Sequence, residues 1–254
     1  MAIHCATTCN CPFPHTALGD LQPPLPRSSR SLSPDHGVLL LLQALESSSA
    51  PLSIVALAPL TNIALAIRLN PQLCRAKIER IWWMGGSAFT SGNFSAWGEA
   101  NAAYDPEAAD IVLRAGIPVT MYTWDVYNRV EIDQRVAQAC LRRQDDKPRR
   151  ALNTWTSLAA RLLLRDMRHF GMPAASIGDA GAVACLIAGP RAFSTRRLNV
   201  RVELQGSHTR GMTVVDGRRE VLPPDTPKLP ANVDVIVDVD SDVLEELFRS
   251  TVLA

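Results

Sequence analysis

Short apolar runs rich in β-branched and aromatic residues alternate with helix-like stretches along this chain, and that alternation restricts its fold more than any other feature. "LSIVALAPL" (52–60), "IERIWWMGG" (78–86), "IPVTMYTWDV" (117–126) and "ANVDVIVDVD" (231–240) have the length and continuity of strands buried on both faces. Helical spacing follows the first of them in "TNIALAIRLNP", where Ile63, Ala64 and Ile67 share a face and Pro71 is expected to end the helix. "DPEAADIVLRAG" carries start and stop signals: Asp105 to cap, Pro106 for the first turn and Gly116 just beyond the last. Strands alternating with helices at this spacing predict a parallel sheet covered on both faces. A helix over 37–47, a longer helical region over about 131–170 and a helix over 178–189 follow the same reading, as does a final helix in "SDVLEELFRS". "RRLNVRVELQG" and "GMTVVDGR" are expected to be strands joined by a tight connection. No internal repeat is present.

The 254 residues are 47% hydrophobic and 20% charged, with a net charge of +1, which describes a globular domain with a buried core. A charge so near zero gives no field to attract nucleic acid or an anionic membrane. Apolar stretches such as "GVLLLLQAL" are too short to span a bilayer, and no secretory leader is evident, so the expected location is the cytoplasm. Residues 1–34 are rich in Pro, Ser, Thr and Cys and are expected to be irregular, with the domain proper over 35–254. His4, Cys5, Cys9 and Cys11 have metal-ligand chemistry but no standard zinc spacing; a reduced, loosely ordered terminus is the preferred reading. Cys74, Cys140 and Cys185 stand in apolar or helical contexts and are expected to be small core residues.

In a sheet of this kind the binding crevice lies at the carboxyl ends of the strands. Three loops qualify: "ALAPLTN", "YTWDVYN" and the long loop after "IERIWWM", which gathers Asn93, Glu99 and Asn101 within "SGNFSAWGEAN". A carboxylate accepts hydroxyl protons and amides both donate and accept, so this trio suits a polyhydroxylated ligand. Simple solvation of the loop, or initiation of the following helix by Asn101 and Asp105, accounts for the same residues equally well. Trp82, Trp83, Trp97 and Trp124 read first as core packing, with stacking on a planar ligand the lesser reading and best placed at Trp97, which lies in this loop. His208 reads as an exposed loop residue and "RRQDDKPRR" (142–150) as a solvated turn.

"ALAPLTNIALAIRLNP", "WMGGSAFTSGNFSAWGEANAAYDPEAADIVLRAGIPVTM", "DAGAVACLI" and "STRRLNVRVELQGSHTRGMTVVD" follow one another from about residue 50 to residue 216. In that order and spacing they resemble the inosine–uridine preferring nucleoside hydrolase family. The resemblance implies a Rossmann-like α/β fold, hydrolysis of the N-glycosidic bond of ribonucleosides, and a bound Ca²⁺. It assigns Met84, Asn93, Glu99 and Asn101 to the ribose. Asp179 and the main-chain carbonyl of Leu57 fall to the metal, with helix capping by Asp179 an equally available role. No catalytic residue is assigned.

Two departures qualify the match. Relatives open with a strand and an aspartate-rich D-x-D-x-x-x-D-D loop that supplies most calcium ligands, whereas here the first aspartates are Asp20 and Asp35. Many relatives carry histidine before the late aspartate; here the residue is Gly178. The resemblance therefore implies a member lacking the family's N-terminal strand–helix units, with weakened Ca²⁺ binding and little or no turnover. The alternative is a non-catalytic subunit that keeps a partial ribose pocket. Its expected partners are a ribonucleoside and a further copy or a complete paralogue, with no nucleic acid and no membrane.

Overall fold

The computed structural model describes residues 31, 33–145, 154–218 and 229–254. Its elements in chain order begin with α1 (Gly37–Ser47), β1 (Leu52–Ala56), α2 (Thr61–Leu69), α3 (Pro71–Lys77) and β2 (Ile78–Met84). Next come α4 (Ala100–Ala103), α5 (Pro106–Leu113), β3 (Val119–Tyr122), α6 (Trp124–Tyr127), β4 (Glu131–Asp133), α7 (Gln134–Asp145) and α8 (Thr154–Phe170). The chain continues through β5 (Ala174–Ser176), α9 (Ala180–Ala188), β6 (Phe193–Leu198), β7 (Val200–Val202), β8 (Thr213–Val215), β9 (Val233–Val239) and α10 (Ser241–Thr251). The irregular terminus, including the His4–Cys11 cluster, and most of "RRQDDKPRR" fall outside the described residues.

The central sheet has the order β1-β2-β3-β9-β6. The first four strands are parallel, and β6 joins β9 antiparallel. This is the mostly parallel α/β sheet that the alternating runs predict. Residues along each strand point alternately to the two faces, and the core divides accordingly. Ile81, Trp83, Val119, Met121, Val233 and Val235 pack with α1, α2, α3 and α5 on one face. Met84, Tyr122 and Ile236 pack with residues of the elements from α6 to α10 on the other. Cys74, Cys140 and Cys185 are buried in these cores and form no disulfide among the described residues. Among the described residues, no helix is long and apolar enough to cross a membrane.

Four local expectations are corrected. Pro71 does not merely end a helix: α2 stops at Leu69, and Pro71 is the first residue of α3, whose first turn is capped by Asn70 accepting from Leu73 N at 3.1 Å. A proline tolerated where no N–H is needed starts a helix as readily as it stops one. The region from 131 opens with β4, paired antiparallel to β5, before helix begins. "RRL" belongs to β6 on the main sheet, and the chain breaks at Asn199, whose side-chain amide donates to Pro230 O at 2.6 Å. The hairpin of β7 and β8 is joined by residues 203–212 rather than by a tight turn.

Candidate functional site

Because β1, β2, β3 and β9 run parallel, their carboxyl ends lie along one edge of the sheet. Ala56 is in register with Trp83, which sets Leu57 level with Met84, and Met84 is in register with Tyr122. The loop after β2 therefore emerges between the ends of β1 and β3.

That loop is held by side chains from distant segments. Gly85 N donates to Tyr122 O at 3.2 Å, and Gly86 O accepts from Trp124 N at 2.8 Å. Gly86 has φ +69°, a left-handed conformation that L side chains rarely adopt, and a Cβ there would lie 2.8 Å from Met121 and Thr213. Thr213 both accepts from Ser87 N (3.0 Å) and donates to Ser87 O (2.6 Å). The two carboxylate oxygens of Asp125 accept from Ala88 N and Phe89 N, each at 2.7 Å. Neither Asp125 nor Thr213 stands out in the sequence, since their partners lie 37 and 126 residues away.

Glu99 is the centre of the loop. It is 2% exposed, and its Oε2 accepts from Gly86 N at 2.7 Å and Ala102 N at 3.2 Å while Oε1 accepts from Asn101 N at 3.0 Å. It thus caps α4 and ties that turn to the end of β2. Burial pushes its carboxyl above the ordinary range; the three N–H donors oppose that shift, and the charge of Asp179 adds to it. A carboxylate offers about four acceptor positions, so one stays free.

Asn101 Nδ2 donates to Met84 O at 3.0 Å and to Met84 Sδ at 3.2 Å, leaving its Oδ1 open. Asn93 is exposed; its Oδ1 accepts from Ala100 N at 2.8 Å, leaving the Nδ2 donors open. The trio is brought together, and both readings of it describe part of what is seen. Each side chain spends one face on organising the loop and α4. Each keeps a second face, offering in total one carboxylate position, one amide oxygen and one amide NH₂. Asp105 caps α5 through Ala108 N at 3.0 Å, as expected, and also accepts from the Thr61 hydroxyl.

Asp179 precedes α9. Its backbone is already αR and its side chain makes no capping bond, so the capping role is not adopted. Among the described residues its carboxylate has no hydrogen-bond or ion-pair partner, and partial burial of the group raises its pKa. The Leu57 carbonyl likewise accepts no backbone hydrogen bond among them. A free carboxylate and a free carbonyl are the donor types a hard cation selects, though they make only part of a shell of about six to eight oxygens. No three His, Cys, Asp or Glu side chains come together as a metal cluster among the described residues.

Two tyrosines face the turn before α9. A Cβ on Gly178 (φ +61°) would lie 2.6 Å from the Tyr127 hydroxyl, and one on Gly181 would lie 2.1 Å from the Tyr122 hydroxyl. The Tyr127 pKa is pushed up to about 12 by burial, then by the charges of Asp179, Asp166 and Glu99, so the phenol keeps its proton at neutral pH. Ser176 Oγ donates to Tyr127 O at 2.6 Å and accepts from Gly178 N at 3.0 Å, joining the two segments.

Around the loop, Phe89, Phe94, Trp97 and Tyr104 are exposed, with Phe94 and Tyr104 in ring contact at 4.8 Å. Trp83 is fully buried and Trp82 packs edge-on against Phe193, as expected of tryptophans in core strands. His208 is exposed. The cavity of about 480 Å³ bordered by Arg135, Arg143 and Glu246 lies between α7 and α10, away from this edge of the sheet.

Residues 6–246 match the sequence model of the inosine–uridine preferring nucleoside hydrolases. The chain is 37% identical over 201 residues to the pyrimidine-specific ribonucleoside hydrolase RihA of Photobacterium profundum, an alignment covering 76% of this chain and 61% of that protein. It is 37% identical over 224 residues to RihA of Salmonella agona, covering 86% of this chain and 66% of the relative. The chain thus spans less than two thirds of the length of these two relatives. Among solved structures it is similar to a purine-preferring ribonucleoside hydrolase from Gardnerella vaginalis, with a TM-score of 0.74, 28% identity and coverage of 93% of this chain and 70% of that one. A plant nucleoside hydrolase, the PpNRh1 enzyme, superposes with a TM-score of 0.77 and 26% identity, covering 93% and 72%.

Proposed function

The chain belongs to the inosine–uridine preferring nucleoside hydrolase family, and from that membership and the loop chemistry we propose that it hydrolyses the N-glycosidic bond of ribonucleosides to a free base and ribose. The observation that carries this reading is the set of valences left open on Asn93, Glu99 and Asn101 after the loop has been tied down. A vicinal diol needs acceptors for its two protons and donors for its two oxygens, and the trio offers both kinds. Met84 holds Asn101 in place by accepting from its amide through O and Sδ.

Gripping the sugar through a pre-organised loop favours the transition state wherever the grip tightens as the ring flattens toward an oxocarbenium ion. Binding energy at the hydroxyls then lowers the barrier at C1′. Asp179 and the Leu57 carbonyl would hold a divalent cation, Ca²⁺ in this reading, which when bound supplies charge that orders hydroxyls and acidifies water. Asp179, partly dehydrated and unpaired among the described residues, is the residue whose charge such a cation would neutralise.

The test is release of free base from inosine, uridine and cytidine with Ca²⁺ present, followed by chromatography, together with calorimetric titration of Ca²⁺ into the protein. Base release from at least one nucleoside and one-site Ca²⁺ binding are expected, with Asp179→Asn weakening that binding at least about tenfold. Removing a partly buried carboxylate that no described residue pairs also predicts that Asp179→Asn raises the urea midpoint in EDTA at neutral pH. No base release from any ribonucleoside would overturn the proposal.

A further inference from the structure

Among the described residues, the Tyr127 hydroxyl is a donor with nothing to bind. The ring is half-buried and lies against Trp124, with centroids 4.7 Å apart and planes at 34°. The backbone behind it is fixed at both ends: Tyr127 N donates to Thr123 O at 3.1 Å, and Tyr127 O accepts from Ser176 Oγ at 2.6 Å. The same Ser176 oxygen receives Gly178 N, which holds the Gly178–Asp179 turn against the ring. Residue 178 has a left-handed φ, and any side chain there would crowd the phenolic oxygen, with its Cβ only 2.6 Å away. A positioned hydroxyl with no hydrogen-bond partner among the described residues therefore stands beside Asp179 and within the electrostatic reach of Glu99.

The charges of Asp179 and Glu99, both already placed in the site, act on this hydroxyl, and neither carboxylate hydrogen-bonds to it among the described residues. The hydroxyl is not one of the buried polar atoms left without a partner, so its oxygen reaches the open space beside Gly178 and Asp179 rather than the interior of the fold. Tyr122, on the adjacent strand end, shows the contrast: it is 1% exposed, and its hydroxyl donates inward to Val126 O at 3.5 Å.

We infer that the Tyr127 hydroxyl donates a hydrogen bond to the departing nucleobase and stabilises the negative charge that develops on it. This rests on the hydrolase reading above. When the C1′–N bond breaks, its electron pair stays on the base nitrogen; Tyr127 holds that anionic base by its O–H without losing the proton. Water adds to C1′, and the proton it sheds neutralises the base, so that free base and ribose are the products. Tyr127 is then a catalytic residue for leaving-group departure, and it fits a base that presents a ring nitrogen or carbonyl acceptor.

The test compares Tyr127→Phe with the wild-type chain on a ribonucleoside and on 4-nitrophenyl β-D-ribofuranoside, whose nitrophenolate leaves without assistance. Removing one hydrogen-bond donor aimed at charge that develops in a transition state costs about 10²–10³-fold, so kcat on the nucleoside should fall about 100-fold or more. Hydrolysis of the nitrophenyl riboside should stay within about twofold of wild type, and the urea midpoint of the variant should not fall, because no hydrogen bond to a described residue is lost. An equal loss on both substrates, or no loss on either, would overturn the inference while leaving the hydrolase reading intact. A wild-type chain inactive on both substrates would overturn that reading, and the role of Tyr127 with it.

Discussion

Glu99→Ala is expected to cost about 3–5 kcal/mol of folding stability, because it strands the N–H groups of Gly86, Asn101 and Ala102 in a site that is 2% exposed. Each buried donor left without a partner costs about 1–3 kcal/mol, and relaxation of the loop recovers part of the sum. Against a typical domain stability of about 5–15 kcal/mol, a loss of that size unfolds an appreciable fraction of the protein. Glu99→Gln should be milder, near ~2 kcal/mol by the same reasoning: the amide oxygen still serves Gly86 and Ala102, but the NH₂ now opposes Asn101 N. Urea denaturation at neutral pH measures both; a loss below about 1 kcal/mol for the alanine variant would show that the loop is held by other contacts.

The same carboxylate predicts a pH dependence. Its folded pKa lies above the ordinary 4.5 because burial outweighs the N–H donors. The folded state therefore retains the proton to higher pH than the unfolded chain, and the contribution of this group to stability falls as pH rises from about 4.5 through the folded pKa, then levels. Urea midpoints in EDTA should show that decline in the wild type and lose part of it in Glu99→Gln. A midpoint that climbs through this window by as much in the wild type as in the variant would contradict the assignment.

Gly181→Ala is the second large effect. In an ordinary helix interior this substitution stabilises by about 1 kcal/mol. Here the new methyl would lie 2.1 Å from Tyr122 Oη and 2.4 Å from Cζ, and Tyr122 cannot swing aside because it is buried on β3 between the sheet and α9. Overpacking of that kind costs about 1–3 kcal/mol or more, so the net sign is destabilising, by roughly 2 kcal/mol, with α9 forced off the sheet. Asp179 moves with the start of that helix, so the Ca²⁺ binding proposed for it should weaken as well. Adding Tyr122→Phe removes the closest atom and should restore part of the loss. A Gly181→Ala chain as stable as the wild type would mean that α9 is free to shift at no cost.

Much of the fold was legible because burial leaves a periodic trace. Continuous apolar runs marked the parallel strands, and Asp105, Pro106 and Gly116 bracketed a helix through effects confined to one turn. What was misread had no such local trace. Pro71 carries the same covalent restriction at the end of α2 as at the start of α3, and only Asn70 accepting from Leu73 N distinguishes the two. β4 is three residues long and is a strand only because β5 lies beside it. The site divides in the same manner. Asn93, Glu99 and Asn101 stood out by residue type and by their fit to a family pattern. Their sequence did not reveal that three of the acceptor positions of Glu99 are spent within the protein. Asp125 and Thr213 leave no local trace because their partners lie on other elements, and Tyr127 leaves none because only Ser176 and Gly178, remote in sequence, set its surroundings.

The order of apolar runs, turns and caps by itself determined a mostly parallel α/β sheet with a polar loop beyond its second strand, since each of those signals acts over a few residues. Tertiary structure alone decided which faces of that loop remain unspent, that Asp179 meets no partner among the described residues, and that a phenol fills the space beside Gly178. Those outcomes depend on distances between segments remote in sequence, and hydrogen-bond valence and steric volume are settled only when such segments meet.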